Sequence, residues 1–344
     1  MNKDVKPKAI PTLADVARAA GVSTATVSRA INFPDQVVEK TRIKVNAAID
    51  VLGYSPNFVA RALAARRTNT IGAIIPTMDN AIFARGIQAF QEELSLHGMT
   101  LLIASSTYSR KREEEQIRTM AARGAEALLL IGYDRSEEIY AFLRSRNIPF
   151  VIAWAYDETR PYISVGFDNE IAMGQLINEV IALGHRQLGF ISAPMADNDR
   201  ARNRVKAVRD AMQTHGIDPD SLQLIQANYS IENGSAAAKS LLQGPRPPTA
   251  ILCGNDVLAI GAVRGAKNLG LRVPEDISIT GFDDIELALL SEPPLATVHV
   301  PHREMGRRAA LALVNITRGN MPAQTSTRLD TTLQLRASLG PAKV

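Results

Sequence analysis

Apolar residues near the start of the chain recur at helical spacing. Leu13, Val16, Ala17 and Ala20 fall at i, i+3, i+4 and i+7, which predicts a short amphipathic helix with Thr12 as its N-cap. Gly21 then supplies a turn conformation. Ser23 is placed to cap a second helix, on which Val27, Ala30 and Ile31 face inward while Thr24, Ala25, Ser28 and Arg29 share the outer face. Two short helices around a glycine turn make a helix-turn-helix. Val45, Ala48, Ile49 and Leu52 predict a third helix over 38–52, ending at Gly53, and a separate helical piece follows over 56–65. A helix that short is marginal alone in water, so it is expected to order only on a partner.

Beyond Arg67 the period changes. Strand-like apolar runs at 71–75, 100–104, 127–131 and 150–153 are separated by helical stretches such as 83–97. After Phe167, helices at 170–183 and 202–214 alternate with strands near 188–191, 222–225, 249–253 and 278–281. That alternation predicts an α/β region whose mostly parallel sheets are covered on both faces. Two series of similar length predict two lobes, with a cleft at the carboxyl ends of the strands.

The 344 residues, 46% hydrophobic and 22% charged, suit a soluble globular chain of two or three domains. The apolar runs fall short of membrane-spanning length and MNKDVKPKAIP carries no apolar signal segment, so a cytoplasmic protein with no membrane partner is expected. The one cysteine, Cys253, sits in the apolar run Ala250-Ile-Leu-Cys253 and reads as a buried strand thiol in a reducing compartment. Charge is uneven: residues 1–67 hold eleven Lys and Arg against five Asp and Glu, a net +6, which leaves the remainder at −2. A basic head, with Lys3, Lys6 and Lys8 on an N-terminal arm, suits attraction to phosphates.

The run T-L-x-D-V-A-x-x-A-G-V-S-x-x-T-V-S-R from Thr12, followed by L-G-Y-x-P-N-x-x-A-x-x-L ending at Leu63, resembles the DNA-binding headpiece of the LacI/GalR family of transcription regulators. The resemblance implies an all-α helix-turn-helix headpiece over 1–55, a hinge helix and linker over 56–67, and an effector-binding and dimerisation core over 68–344. It implies a two-lobed, periplasmic-binding-protein-like core, with lobe N near 68–165 and 298–325 and lobe C near 166–297 and 326–340. Chain crossings are expected near 165–169, 283–297 and 325–330. It further implies a repressor whose affinity for double-stranded, near-palindromic operator DNA is controlled by a small molecule, acting as a homodimer or dimer of dimers. Induction, corepression and activation stay open, because the sign depends on which lobe arrangement the ligand favours.

By the same resemblance Thr24, Ala25 and Arg29 sit where the family reads bases, Ala25 offering only apolar contact, for example to a thymine methyl. Ser23, Thr26, Ser28, Asn32 and Tyr54 are expected as phosphate contacts or caps, and Thr12, Leu13, Asn57 and Ala60 complete the expected interface. Leu63 matches the leucine that wedges into a base step in the minor groove, where hinge helices of two copies pair.

A polyol or sugar acid in the cleft needs carboxylates, an Arg fork, amides and an aromatic face. Asp168, Asn255 and Asp283 each follow a predicted strand, in Gly166-Phe-Asp, Gly254-Asn and Gly281-Phe-Asp respectively. Asp168 and Asn255 also suit helix N-caps. By resemblance Asn255, Asp283 and Arg204 match the family's effector contacts, and Asp168 matches a cleft residue of some members. Phe83, Trp154 and Tyr229 are candidate stacking walls, and Asn80 with Phe83 is the first lobe's expected contribution. This set is compatible with a neutral sugar, a sugar acid such as gluconate, or a nucleobase; Val165-Gly-Phe-Asp-Asn169 resembles gluconate-type repressors. No cofactor or metal is expected: Gly72-Ala-Ile-Ile-Pro-Thr-Met lacks the paired glycines of a dinucleotide loop, and His299 and His302 flank Pro301 without a third ligand nearby. With no nucleophile–base pair in view, an enzyme is not expected. A solute-binding protein of the transport class shares the two-lobed core but has no use for a basic helix-turn-helix.

If Leu63 is the wedge, Leu63→Ala lowers operator affinity and removes the DNA bend; full affinity with full bending in a gel-mobility assay would overturn that role.

Overall fold

The computed structural model describes residues 11–55, 67–79, 81–320 and 326–343, and the chain divides into two units, 1–68 and 69–344. The expected hinge helix, with Asn57, Ala60 and Leu63, lies outside the described residues, as does Asn80.

In the first unit, helices α1 (Leu13–Ala20), α2 (Thr24–Asn32) and α3 (Glu39–Leu52) pack around Val16, Val27 and Val45, one valine from each helix and none exposed. A reciprocal cap starts α1: the Asp15 amide donates to Thr12 Oγ1 at 3.3 Å, while Asp15 Oδ2 accepts from the Thr12 amide at 2.9 Å. Such a capping box satisfies two otherwise orphaned donors and contributes about 1 kcal/mol. α1 ends at Gly21 in the left-handed region, and Ser23 caps α2 by accepting from the Thr26 amide at 3.1 Å.

The second unit holds two parallel sheets. The first has the order β2-β1-β3-β4-β5-β11, from β1 (Thr70–Ile75), β2 (Thr100–Ser105), β3 (Ala127–Ile131), β4 (Phe150–Ala153), β5 (Ser164–Gly166) and β11 (Ser326–Arg328). Its crossover helices are α4 (Ala81–Leu96), α5 (Arg110–Ala122) and α6 (Glu137–Ser145). The second sheet has the order β7-β6-β8-β9, from β6 (Leu188–Ser192), β7 (Gln223–Gln226), β8 (Ala250–Cys253) and β9 (Ser278–Thr280). Helices α7 (Asn169–Ala182), α8 (Asp199–Thr214), α9 (Ile231–Leu242) and α10 (Asp256–Asn268) cover it. The central strands β1, β3, β6 and β8 are buried along their whole length, as continuous apolar runs in a doubly covered sheet must be.

The chain leaves the first sheet after β5 and enters α7. It returns through the short helix α11 (Glu286–Leu290) and β10 (Thr297–His299) into α12 (His302–Thr317), which packs on α4. It crosses once more between β11 and β12 (Thr332–Gln334), and β12 pairs antiparallel with β10. One boundary differs from expectation. Residues 326–328, expected in the second lobe, pair in parallel with Ser164–Gly166 and close the edge of the first sheet. A three-residue strand has too little alternation to announce which sheet it joins.

α4 and α12 meet backbone to backbone: a Cβ on Gly306 would stand 1.9 Å from the Gly86 carbonyl oxygen. A helix crossing this close admits only glycine there. Gly306→Ala is therefore expected to destabilise the core by about 3 kcal/mol or more, read as a lowered denaturant midpoint; a loss under about 0.5 kcal/mol, within the usual surface range, would overturn this account.

Candidate functional site

On the headpiece, Ser23, Thr24, Ala25 and Arg29 are exposed and Thr26, Ser28 and Asn32 half-buried. Thr24 and Ala25 open α2, where the first backbone amides face outward and favour anions; Ser28 and Arg29 follow one turn later on the same face. Asn32 Nδ2 donates to Ser28 Oγ at 3.3 Å, and Thr26 Oγ1 lies 2.9 Å from Ser23 Oγ, so these four brace one another. Leu13 and Tyr54 pack against the valine core and offer a surface only through their outer edges. Thr12 is committed to the α1 cap.

In the second unit, Ile82, Phe83, Tyr108, Trp154, Asn198, Arg200, Arg204, Tyr229 and Asp283 line a narrow, nearly filled cleft with about 20 Å³ of room. Most of them lie just beyond the carboxyl ends of strands β1, β2, β4, β6, β7 and β9, or in the helix that follows, where an open α/β sheet leaves a crevice. Phe83 and Trp154 meet at 5.3 Å between ring centroids, and Tyr108 and Tyr229 meet across the lobes at 5.6 Å. Trp154, at φ 59°, and Asp283, at φ 102°, hold left-handed backbone that few such residues adopt, strain of the kind that collects at binding sites.

Arg204 is the best-anchored cation of the cleft. Its Nε donates to Asn169 Oδ1 at 2.9 Å and its Nη1 to the Gly254 carbonyl at 2.5 Å, while the guanidinium lies 3.7 Å over the Phe282 ring. Asp283 Oδ1 stands 3.9 Å from Arg204 Nη2, near enough to feel its charge but outside hydrogen-bond reach. Burial pushes the Asp283 carboxyl up to about 6, against the pull of Arg204. Burial likewise raises the Tyr108 and Tyr229 hydroxyls, so both act as neutral donors and acceptors.

The lobes are held together at the cleft mouth by the loop before α8 and its first turn. Arg110 pairs with Asp197 at 3.0 Å, Arg202 with Asp134 at 2.6 Å, and the Tyr133 amide donates to Asp199 Oδ2 at 2.6 Å. Arg200 reaches back to the Ile131 carbonyl at 3.3 Å and passes so close to Gly132 that a Cβ there would stand 2.0 Å from its Nη1.

Residues 12–57 match the family model described as bacterial regulatory proteins, lacI family, and residues 177–339 match the periplasmic binding protein-like domain. The HTH-type transcriptional repressor CytR of Escherichia coli K12 is 33% identical over 341 residues, 98% of each chain. The chain belongs to the LacI family. The repressor PurR of Vibrio atlanticus is 34% identical over 301 residues, 87% of this chain and 89% of its own. Among solved structures, the Lac repressor dimer bound to operator and the anti-inducer ONPF superposes with a TM-score of 0.84 at 27% identity, covering 96% of this chain and 99% of that one. As a LacI-family protein the chain is a DNA-binding transcriptional repressor with an effector-binding core. No described helix is long and apolar enough to cross a membrane.

Of the effector residues expected in this LacI-family core, Phe83, Trp154, Arg204, Tyr229 and Asp283 converge on the cleft. Asp168 does not: its Oδ1 accepts from the Glu170 and Ile171 amides as the cap of α7, and the neighbouring Asn169 is the residue that reaches Arg204. Asn255 is fully buried as the cap of α10, its Oδ1 accepting from the Leu258 amide at 2.9 Å. Tyr108, Asn198 and Arg200 were not anticipated. Asn198 and Arg200 begin α8 three residues earlier than expected, and Tyr108 sits in a turn with no periodic signal.

The Asp283 carboxyl binds its proton more tightly in the folded than in the unfolded chain. Its contribution to stability therefore falls as pH rises from about 4 to about 6, by about 3 kcal/mol at most. Asp283→Asn is expected to flatten the decline of unfolding free energy across that window in effector-free protein; an unchanged slope would overturn the assignment.

Proposed function

We propose that this repressor binds a near-palindromic operator as a homodimer in the cytoplasm, and that a small hydroxylated effector, a sugar or sugar acid, closes the cleft and sets operator affinity. The observation that carries the reading is a cleft with an aromatic pair at each side and a buried arginine–aspartate couple between them. Aromatic faces cover the C–H face of a sugar ring, while Arg204, Arg200, Asn198 and Asp283 serve its hydroxyls. Two relatives support the effector class: the Lac repressor was solved with ONPG in its repressed state, and the regulator CelR with cellobiose. The cleft serves binding, with no reaction assigned to it.

The mechanism is linkage. An effector that touches both lobes favours the closed arrangement, and the difference in lobe arrangement changes how the two headpieces are presented to DNA. Coupling of this kind is reciprocal and of the order of 5- to 150-fold, so operator must change effector affinity by the same factor.

Selection of bound DNA from a random library, at stated salt, is expected to return a near-palindromic site. Titration calorimetry with D-glucose, D-ribose, D-gluconate and cellobiose is expected to give binding that Tyr229→Ala and Arg204→Ala each weaken at least about tenfold. No enriched sequence would overturn the operator reading, and no binding by any of the four would overturn the effector class.

A further inference from the structure

The turn that follows β3 and the first turn of α8 belong to different lobes, and they interlock. Asp199 Oδ2 accepts from the Tyr133 amide at 2.6 Å, and Asp199 Oδ1 accepts from Arg200 Nη1 at 2.8 Å. The same Nη1 donates across the lobes to the Ile131 carbonyl at 3.3 Å. Both side chains lie flat against Gly132, where a Cβ would stand 2.0 Å from Arg200 Nη1 and 2.4 Å from Asp199 Oδ1. Asp199 and Arg200 are buried there. The first-lobe half of this clasp is braced from behind. Arg135, its side chain wholly buried, donates to the Ile131 carbonyl at 3.0 Å, to Glu113 Oε1 at 2.6 Å and to the Gly132 carbonyl. Charge-assisted bonds kept from water outweigh the exposed ion pairs around them.

With the clasp made, the cleft has about 20 Å³ of room, enough for one water and far too little for a sugar. Its walls come from both lobes, Phe83, Tyr108 and Trp154 from the first and Asn198, Arg204, Tyr229 and Asp283 from the second. A sugar ring needs about 3.5–4 Å to the atoms on each side of it, so the lobes must part to seat one. Interlobe bonds of 2.6 and 3.3 Å do not survive that parting.

We propose that the Asp199–Arg200 clasp on residues 131–133 holds the core in a self-closed arrangement that excludes effector. Closure around the effector is then a separate, wider arrangement, and the sugar binds only those molecules in which the clasp is open. The proposal rests on the effector reading above and adds a positioning residue, Asp199, which sets effector affinity without lining the cleft. Apparent affinity falls in proportion to the clasped fraction. Loosening the clasp therefore tightens effector binding, the opposite of what contacts that hold the lobes around a bound sugar would do.

The test breaks the clasp from each lobe in the full chain, with Asp199→Ala in the second and Gly132→Ala in the first. Trp154 is the one tryptophan of the chain and lines the cleft, so its fluorescence reports opening. Without added sugar, its emission is expected to shift to the red in both variants. By titration calorimetry, the tightest binder among D-glucose, D-ribose, D-gluconate and cellobiose is expected to bind each variant at least about fivefold more tightly than wild type. The double variant gains no more than either single one, because both break the same clasp. Far-UV circular dichroism equal to that of wild type shows that a variant is folded, and Asp199→Ala alone decides if Gly132→Ala does not fold. Weaker or unchanged binding to Asp199→Ala would overturn the self-closed arrangement while the effector reading stands. If none of the four sugars binds wild type or variant, the effector reading fails, and Trp154 emission decides the clasp: a red shift keeps it and an unshifted spectrum removes it.

Discussion

A guanidinium taken out of water must be matched on every side or it unfolds what surrounds it, and Arg204 is such a group. With 6% of its surface exposed, it is held by Asn169 at the first chain crossing, by the Gly254 carbonyl at the end of β8, by the Phe282 face and by the nearby charge of Asp283. Asn169 in turn donates to the Trp154 carbonyl, which carries the constraint into the first lobe. Removing one partner of such a set costs several kcal/mol, because it leaves a buried charge unanswered. The positions of α7, α8 and the strand ends β4, β8 and β9 around the cleft follow from this one side chain.

The same requirement explains what was legible in the residues alone. The headpiece helices announce themselves by local signals: each carries an apolar stripe, α1 and α2 a side-chain N-cap, and α1 and α3 a glycine stop. The central strands are equally plain as unbroken apolar runs. Short strands such as Ser164–Gly166 and Ser326–Arg328 owe their pairing to residues 162 positions apart, where Ser164 Oγ donates to Ser326 Oγ at 2.9 Å. In the cleft, the residue types were readable and their division of labour was not. Asp168 and Asn169 are neighbours of similar chemistry, yet one caps a helix and the other orients the buried arginine. His302 stands out in the sequence only as half of a metal pair that lacks a third ligand, whereas in the fold it accepts the indole proton of Trp154.

The ties that hold the lobes shut differ in kind from the core beneath them. Arg110 is 43% and Arg202 43% exposed, so their pairs with Asp197 and Asp134 are screened by water and salt and each adds a fraction of a kcal/mol. These outer pairs close the cleft without locking it, whereas Asp199 and Arg200, both buried, bond the Tyr133 amide and the Ile131 carbonyl beneath them.

The glycine contact between α4 and α12 bears on how that closure is transmitted. Two helices touching through their backbones have no side-chain layer in which to slide, so the first lobe behaves as a stiff plate. Three passages of chain join the two sheets, and β10 and β12, which lie on two of them, are laced together. A pair of antiparallel strands bends far more readily than it stretches or parts. The second lobe is therefore hung on the first like a door on a strap hinge, free to swing about one axis and poorly able to slide or separate.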